Sequence, residues 1–209
     1  EQAQKNGYEH FMRKEIFEQP TALYNTVHPR IAKGLPDFTH DGIAPGFFRD
    51  VTRIQMVACG TASYAGFVGK NVIEKLARVP AEVDIASEFR YRDPILDPTQ
   101  LVVVISQSGE TADTLAALRL AKKQGVKTLA IVNVAGSTIA READIVLYTY
   151  AGPEIAVAST KAYSVQTGVL YLLAIRIAME KGRISEEQAA FYVDRLQEAI
   201  ELTHEALKA

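Results

Sequence analysis

A chain of 209 residues is long enough for one sizeable α/β domain with appended helices, or for two small domains. Its hydrophobic content of 48% and charged content of 23% are ordinary for a soluble globular protein, and a formal net charge of −2 without a basic cluster removes the electrostatic case for a nucleic-acid partner. One cysteine rules out a disulfide framework and suits a reducing compartment; no apolar run reads as a membrane span, and the first residues lack a signal-peptide pattern.

The chain begins at Glu1 rather than Met, so a fragment or processed product is expected. Glu1 to Glu18 reads as a helix with apolar positions Tyr8, Phe11, Met12, Ile16 and Phe17, stopped at Gln19-Pro20 because the residue before proline is pushed out of helical geometry. Thr21 to Ile31 reads as a second short helix interrupted by Pro29, and residues 34–50 as a loop-rich connector. Residues 1–50 thus form an arm or linker, with the domain proper in residues 51–209.

From Ile54 the pattern becomes regular. Strands are expected at Ile54–Cys59, Glu82–Ala86, Leu101–Ile105, Thr128–Val132 and Ile145–Thr149, with helical segments between most of them. The helix Tyr64–Arg78 carries Phe67, Val68, Val72, Ile73 and Leu76, and Ser87–Asp97 reads as a short helical turn plus loop. A long helix spans Lys161–Lys181, and Ser185-Glu186-Glu187 caps a last one reaching about Lys208 with a stripe of Phe191, Val193, Leu196, Ile200 and Leu207. Strands alternating with helices imply an α/β fold whose parallel sheet is covered on both faces.

The most informative stretch is Leu101 to Thr111, where a β-branched run ends abruptly in Ser106-Gln107-Ser108-Gly109-Glu110-Thr111. Ala112 to Gln124 then reads as a helix closed by Gly125, so the turn lies between a buried strand and a helix N-terminus. Free N–H groups and the positive dipole end gather there, a place that binds anions. Ser106, Ser108 and Thr111 add hydroxyls, and Gly109 lets the backbone approach a ligand. A helix cap needs fewer such groups, so a seat for a monophosphate without metal is the stronger reading. The turn Cys59-Gly60-Thr61-Ala62-Ser63 has similar chemistry at another strand end, and the two would share a crevice if their strands are adjacent.

These motifs, with Glu88-Phe89-Arg90-Tyr91-Arg92 and Glu154-Ile155-Ala156-Val157-Ala158-Ser159-Thr160-Lys161-Ala162, resemble the sugar isomerase (SIS) fold, and within it the first of two such domains in the glutamine–fructose-6-phosphate aminotransferases. His10 to Pro20 is similar to the segment joining that family's glutaminase to its isomerase half. The resemblance implies a three-layer αβα sandwich on a five-stranded parallel sheet of flavodoxin-like type, with extra terminal helices. It implies a cytoplasmic homodimer making glucosamine 6-phosphate from fructose 6-phosphate without a cofactor. Ser106, Gln107, Ser108 and Thr111 match the family's phosphate grip, Cys59, Gly60 and Thr61 its sugar-lining turn, and Val157 and Ala158 positions touching the sugar. Many relatives have Ser where this chain has Ala62, and Ser63 is the candidate replacement. The glutaminase and the second SIS domain, with the family's catalytic glutamate, histidine and lysine, are expected outside this chain. No catalytic residue is therefore expected within it.

Other residues read more plainly. Cys59 has no nearby His to make a thiolate, and His10, His28, His40 and His204 lack metal-ligand spacing. Glu110 is accounted for by the dipole of the helix that follows it. Lys161, at a helix start, is expected to pair with Glu154 or to approach a ligand, and Arg90 and Arg92 to assist an anion or sit in a solvated loop. Two alternatives belong to other classes. A sugar-phosphate sensor of a transcriptional regulator would carry a basic helix-turn-helix, which residues 1–50 do not resemble. A stand-alone isomerase would need a base, for which Glu88, Glu110 and Glu154 are the candidates.

Overall fold

The computed structural model describes residues 4–208. Five strands, β3 (Ile54–Ala58), β4 (Ala81–Ile85), β5 (Leu101–Ser106), β6 (Lys127–Val132) and β7 (Ile145–Tyr148), form one all-parallel sheet in the order β4-β3-β5-β6-β7. A two-stranded antiparallel hairpin, β1 (Ile31–Ala32) with β2 (Leu35–Pro36), precedes it, running from the end of the expected second helix into the segment read as a connector.

Side chains alternate across β5, so one run serves two cores. Leu101, Val103 and Ile105 enter a cluster with α1 (Phe11–Val27), α2 (Thr61–Ala77), α6 (Lys161–Glu180) and α7 (Glu186–Ala206). Val102 and Val104 face α3 (Ala86–Tyr91), α4 (Ala112–Lys123) and α5 (Thr138–Glu142). The result is the expected αβα sandwich. Phe38, Ile43 and Phe48 of the arm are fully buried in the first cluster, so the arm shares the main core.

Three helices depart in part from the expected stripes, although Val72, Ile73 and Leu76 of α2 and Val193, Leu196 and Ile200 of α7 do pack on the core. In α2 the buried face is Ala65, Gly66, Gly69, Ile73 and Ala77, while Phe67 points outward. The reason is close packing: a Cβ at Gly69 would sit 3.0 Å from Leu170 of α6, and one at Gly66 would sit 3.2 Å from Val83. Likewise α7 buries Ala189, Val193 and Ile200 but exposes Phe191. Its start is as expected, with Ser185 and Gln188 forming a capping box.

The third, α1, departs most. It starts at Phe11, runs through Pro20 to Val27, and passes into a 3₁₀ turn at His28–Arg30; residues 1–3 of the expected helix lie outside the described residues. Proline lacks the N–H that would bond the Ile16 carbonyl, an omission costing about 3 kcal/mol in an unsupported helix. Here the Gln19 side chain donates Nε2–H to that carbonyl at 3.1 Å, and Pro20 itself is buried. Met12 and Phe17 are exposed, whereas Lys14 and Glu15 are buried. In its first half this helix packs a polar face, and in its second half Ala22, Leu23 and Val27 join the first cluster.

Contrary to the sequence expectation, one segment has the length and composition of a membrane span: α6, with mean hydropathy 1.3 over its strongest window. That window is 67% buried inside the protein, which makes α6 the core helix of the first layer.

Candidate functional site

The chain leaves β3 for β4 on one side, then crosses to β5 on the other, so the topological switch lies between β3 and β5. Ala58 pairs with Ile105, which starts both ligand-facing turns at one level of the sheet edge. A cleft of about 280 Å³ opens there, walled by the two turns and by the segment between β7 and α6.

The structure brings Cys59, Thr61, Ser106, Gln107, Ser108, Thr111 and Val157 together on its walls. Ser106 is 3% exposed; its Oγ accepts the Gly109 N–H at 3.0 Å and lies 3.0 Å from Thr111 Oγ1. Ser108 Oγ accepts the Glu110 N–H at 3.2 Å. Thr111 occupies the N-cap of α4 but makes no side-chain cap bond. The hydroxyls thus organise the turn and leave the first-turn amides of α4 uncapped, the arrangement of an anion seat.

Gly109 has φ +67°, and a Cβ there would lie 2.0 Å from Ser137 Oγ. Its freedom is therefore required by the packing of Ser137 of the protein itself. Ser137 Oγ is buried with no hydrogen-bond partner.

Of the other sequence candidates, Gly60, Ser63 and Ala158 stand apart from the cleft wall. Gly60 supplies the positive φ (+55°) of its turn. Ser63 is 3% exposed and its Oγ donates to the Gly60 carbonyl at 2.6 Å, so the structure turns this hydroxyl inward, while Ala62 lines the cleft. Ala158 is exposed beside Val157. Cys59 Sγ lies 3.7 Å from Thr114 Oγ1.

Charges are distributed differently from the expectation. Lys161 is 2% exposed and pairs with Glu18 of α1 at 2.7 Å, not with Glu154. Arg90 pairs with Asp113 at 2.8 Å and Arg92 with Asp84 at 2.5 Å, so neither guanidinium is directed at the cleft. Glu110 accepts the Thr138 N–H at 2.7 Å, capping α5 rather than sitting on the dipole of α4, and that bond holds its carboxyl below the ordinary value of 4.5. Among the described residues no lysine or arginine lines the cleft; a phosphate there would rest on neutral donors and the α4 dipole.

The third wall is built by carboxylates. Glu154 accepts the N–H groups of Thr160 (2.8 Å) and Ala162 (3.1 Å) and the Ser159 hydroxyl (3.1 Å), capping α6 from outside the helix. Glu15, 2% exposed, accepts the N–H groups of Ile155 at 2.6 Å and Ala156 at 3.2 Å. Sequence reasoning missed Glu15, Glu18 and Gln166. The signal for the first two was a polar cluster on α1 where an apolar stripe was sought; for Gln166 it was a lone carboxamide in an apolar helix.

Comparisons with known proteins agree with this fold. The family model described as "SIS domain" matches residues 47–176. The chain is 57% identical over 188 residues to a glutamine–fructose-6-phosphate aminotransferase [isomerizing] of Clostridium tetani, covering 89% of this chain and 31% of that protein. It is 55% identical over 198 residues to the Symbiobacterium thermophilum protein of the same name, covering 94% of this chain and 32% of that one. It thus spans about a third of the length of the curated relatives it matches. Among solved structures, the C-terminal domain of glucosamine-fructose-6-phosphate aminotransferase from Francisella tularensis superposes with a TM-score of 0.92 at 45% identity, over 99% of this chain and 58% of that one.

Proposed function

The chain belongs to the SIS domain family, and from that premise we propose that its cleft seats the phosphate of a sugar phosphate on the Ser106–Thr111 turn. Fructose 6-phosphate and glucosamine 6-phosphate are the proposed ligands, and the chain is the first isomerase subdomain of a glutamine-dependent fructose-6-phosphate aminotransferase in amino-sugar biosynthesis. The observation that carries this reading is the convergence, at one sheet edge, of the Cys59–Thr61 turn with a hydroxyl-rich turn at the uncapped N-terminus of α4. The relatives' names support the ligand identity.

In this reading residues 1–50 join a preceding glutaminase to the binding unit in residues 51–209, and a second SIS domain supplies the acid–base groups. The state of the three candidate bases supports that division: Glu88 is exposed and absent from the cleft lining. Glu154, the carboxylate on the cleft wall, is held by the α6 cap, and Glu110 is held by Thr138, so neither is poised as a general base. A homodimer belongs to the same proposal, supported by exposed Phe67, Phe191 and Leu202 on α2 and α7. Calorimetric titration of the chain with fructose 6-phosphate and glucosamine 6-phosphate tests the seat. Saturable binding that is lost in Ser106→Ala/Thr111→Ala supports it; undiminished binding by that variant refutes it.

A further inference from the structure

We infer that Gln166 is a ligand-binding residue of this cleft, its carboxamide reading a neutral oxygen of the sugar, hydroxyl or carbonyl, rather than the phosphate. The inference rests on the sugar-phosphate reading above. Gln166 lies on α6 between Val165 and Val169, both fully buried, and is itself 3% exposed, yet it lines the cleft beside Ala62 and Ile105.

Neighbouring polar groups on the same helix are satisfied by the protein. Lys161 bonds Glu18, Ser164 donates to Gln19 Oε1 at 2.5 Å, and Thr167 donates to the Ser164 carbonyl at 2.7 Å. The Gln166 side chain has no hydrogen bond to any described residue. Buried carboxamides are ordinarily bonded, because each carries two N–H donors and an acceptor whose desolvation is costly. An amide at this position on the cleft wall is matched to an oxygen arriving with the ligand. Its neutrality decides which oxygen: it cannot offset phosphate charge, but it offers both a donor and an acceptor, the complement of a hydroxyl.

The test is titration of wild type, Gln166→Leu and Ser106→Ala with fructose 6-phosphate and, separately, inorganic phosphate. Gln166→Leu is expected to weaken fructose 6-phosphate by roughly tenfold or more and to leave inorganic phosphate unchanged. Ser106→Ala is expected to weaken both. Thermal melting separates this from a structural role: replacing an unpartnered buried amide by an apolar isostere leaves the melting temperature unchanged or raises it. A Gln166→Leu protein that binds fructose 6-phosphate as wild type does, while Ser106→Ala is impaired, overturns the Gln166 assignment alone. Unimpaired binding of both ligands by Ser106→Ala, with Gln166→Leu still selectively weakened, overturns the phosphate seat and leaves Gln166 standing. A wild type that binds neither ligand overturns both.

Discussion

The two long walls of the cleft are built on opposite principles. The Ser106–Thr111 wall is set by nearer partners: its hydroxyls bond amides or hydroxyls at most five residues away, the strand before it and helix after it belong to the same βα unit, and its Gln107 and Gly109 carbonyls and Glu110 carboxylate tie it to residues 133–139 after the next strand. The wall from Glu154 to Thr160 has no strand or helix of its own. It is held from inside by Glu154 and from outside by Glu15 of α1, 140 residues earlier in the chain. A short-range wall keeps its shape with the sheet; a long-range wall depends on whatever positions the arm.

Breaking the arm's grip tests this contrast most severely. Glu18 lies 2.7 Å from Lys161 Nζ and 3.4 Å from Lys14 Nζ, both cations being nearly buried while the carboxylate is about one-third exposed. Glu18→Ala is therefore expected to destabilise by about 3 kcal/mol, whereas Lys161→Met, which leaves a carboxylate able to hydrate, costs about 1 kcal/mol or less in denaturant unfolding. Equal losses would show that the asymmetry of burial does not govern the pair. Within the local wall, Gly109→Ala combines a left-handed backbone with the Ser137 collision and is expected to cost about 2–3 kcal/mol. Adding Ser137→Gly should recover the steric part and leave the backbone part.

Glu15→Ala strips the acceptor from the Ile155 and Ala156 amides, worth about 1–2 kcal/mol. Hydrogen exchange should accelerate in residues 155–160 and stay unchanged in residues 106–111; acceleration in both would dissolve the distinction between the walls. The smallest effect concerns pH. The Thr138 N–H bond holds the Glu110 carboxyl below 4.5, so its stabilisation is present above that value and is lost as pH falls through the lowered one. Glu110→Gln should be less stable than wild type at pH 7, with the gap closing in acid.

The same contrast explains what could be read from the sequence. The strands, the Ala112–Lys123 helix and the Ser106–Thr111 turn follow from periodicity, β-branching and punctuation within short windows. Sheet order brings the Cys59 and Ser106 turns into one cleft as a parallel fold demands. What stayed hidden depends on side-chain partners that periodicity does not show, one of them local and one distant. Pro20 reads as a stop until the Gln19 side chain is seen serving the Ile16 carbonyl. Lys161 reads as a cation beside Glu154 until α1 brings Glu18 to it. The apolar stripes assigned to α2 and α7 hold at Val72, Ile73, Leu76, Val193, Leu196 and Ile200 and fail at Phe67 and Phe191; in α2 the close approach of Leu170 to Gly69 is what keeps a small residue on the packed face.

The most direct measurement of the central claim is amide chemical-shift mapping by NMR during titration with fructose 6-phosphate. The account predicts saturable shifts centred on the amides of residues 106–114, with those of residues 59–62 following. Saturable shifts confined to another part of the molecule, with residues 106–114 unmoved, would contradict it.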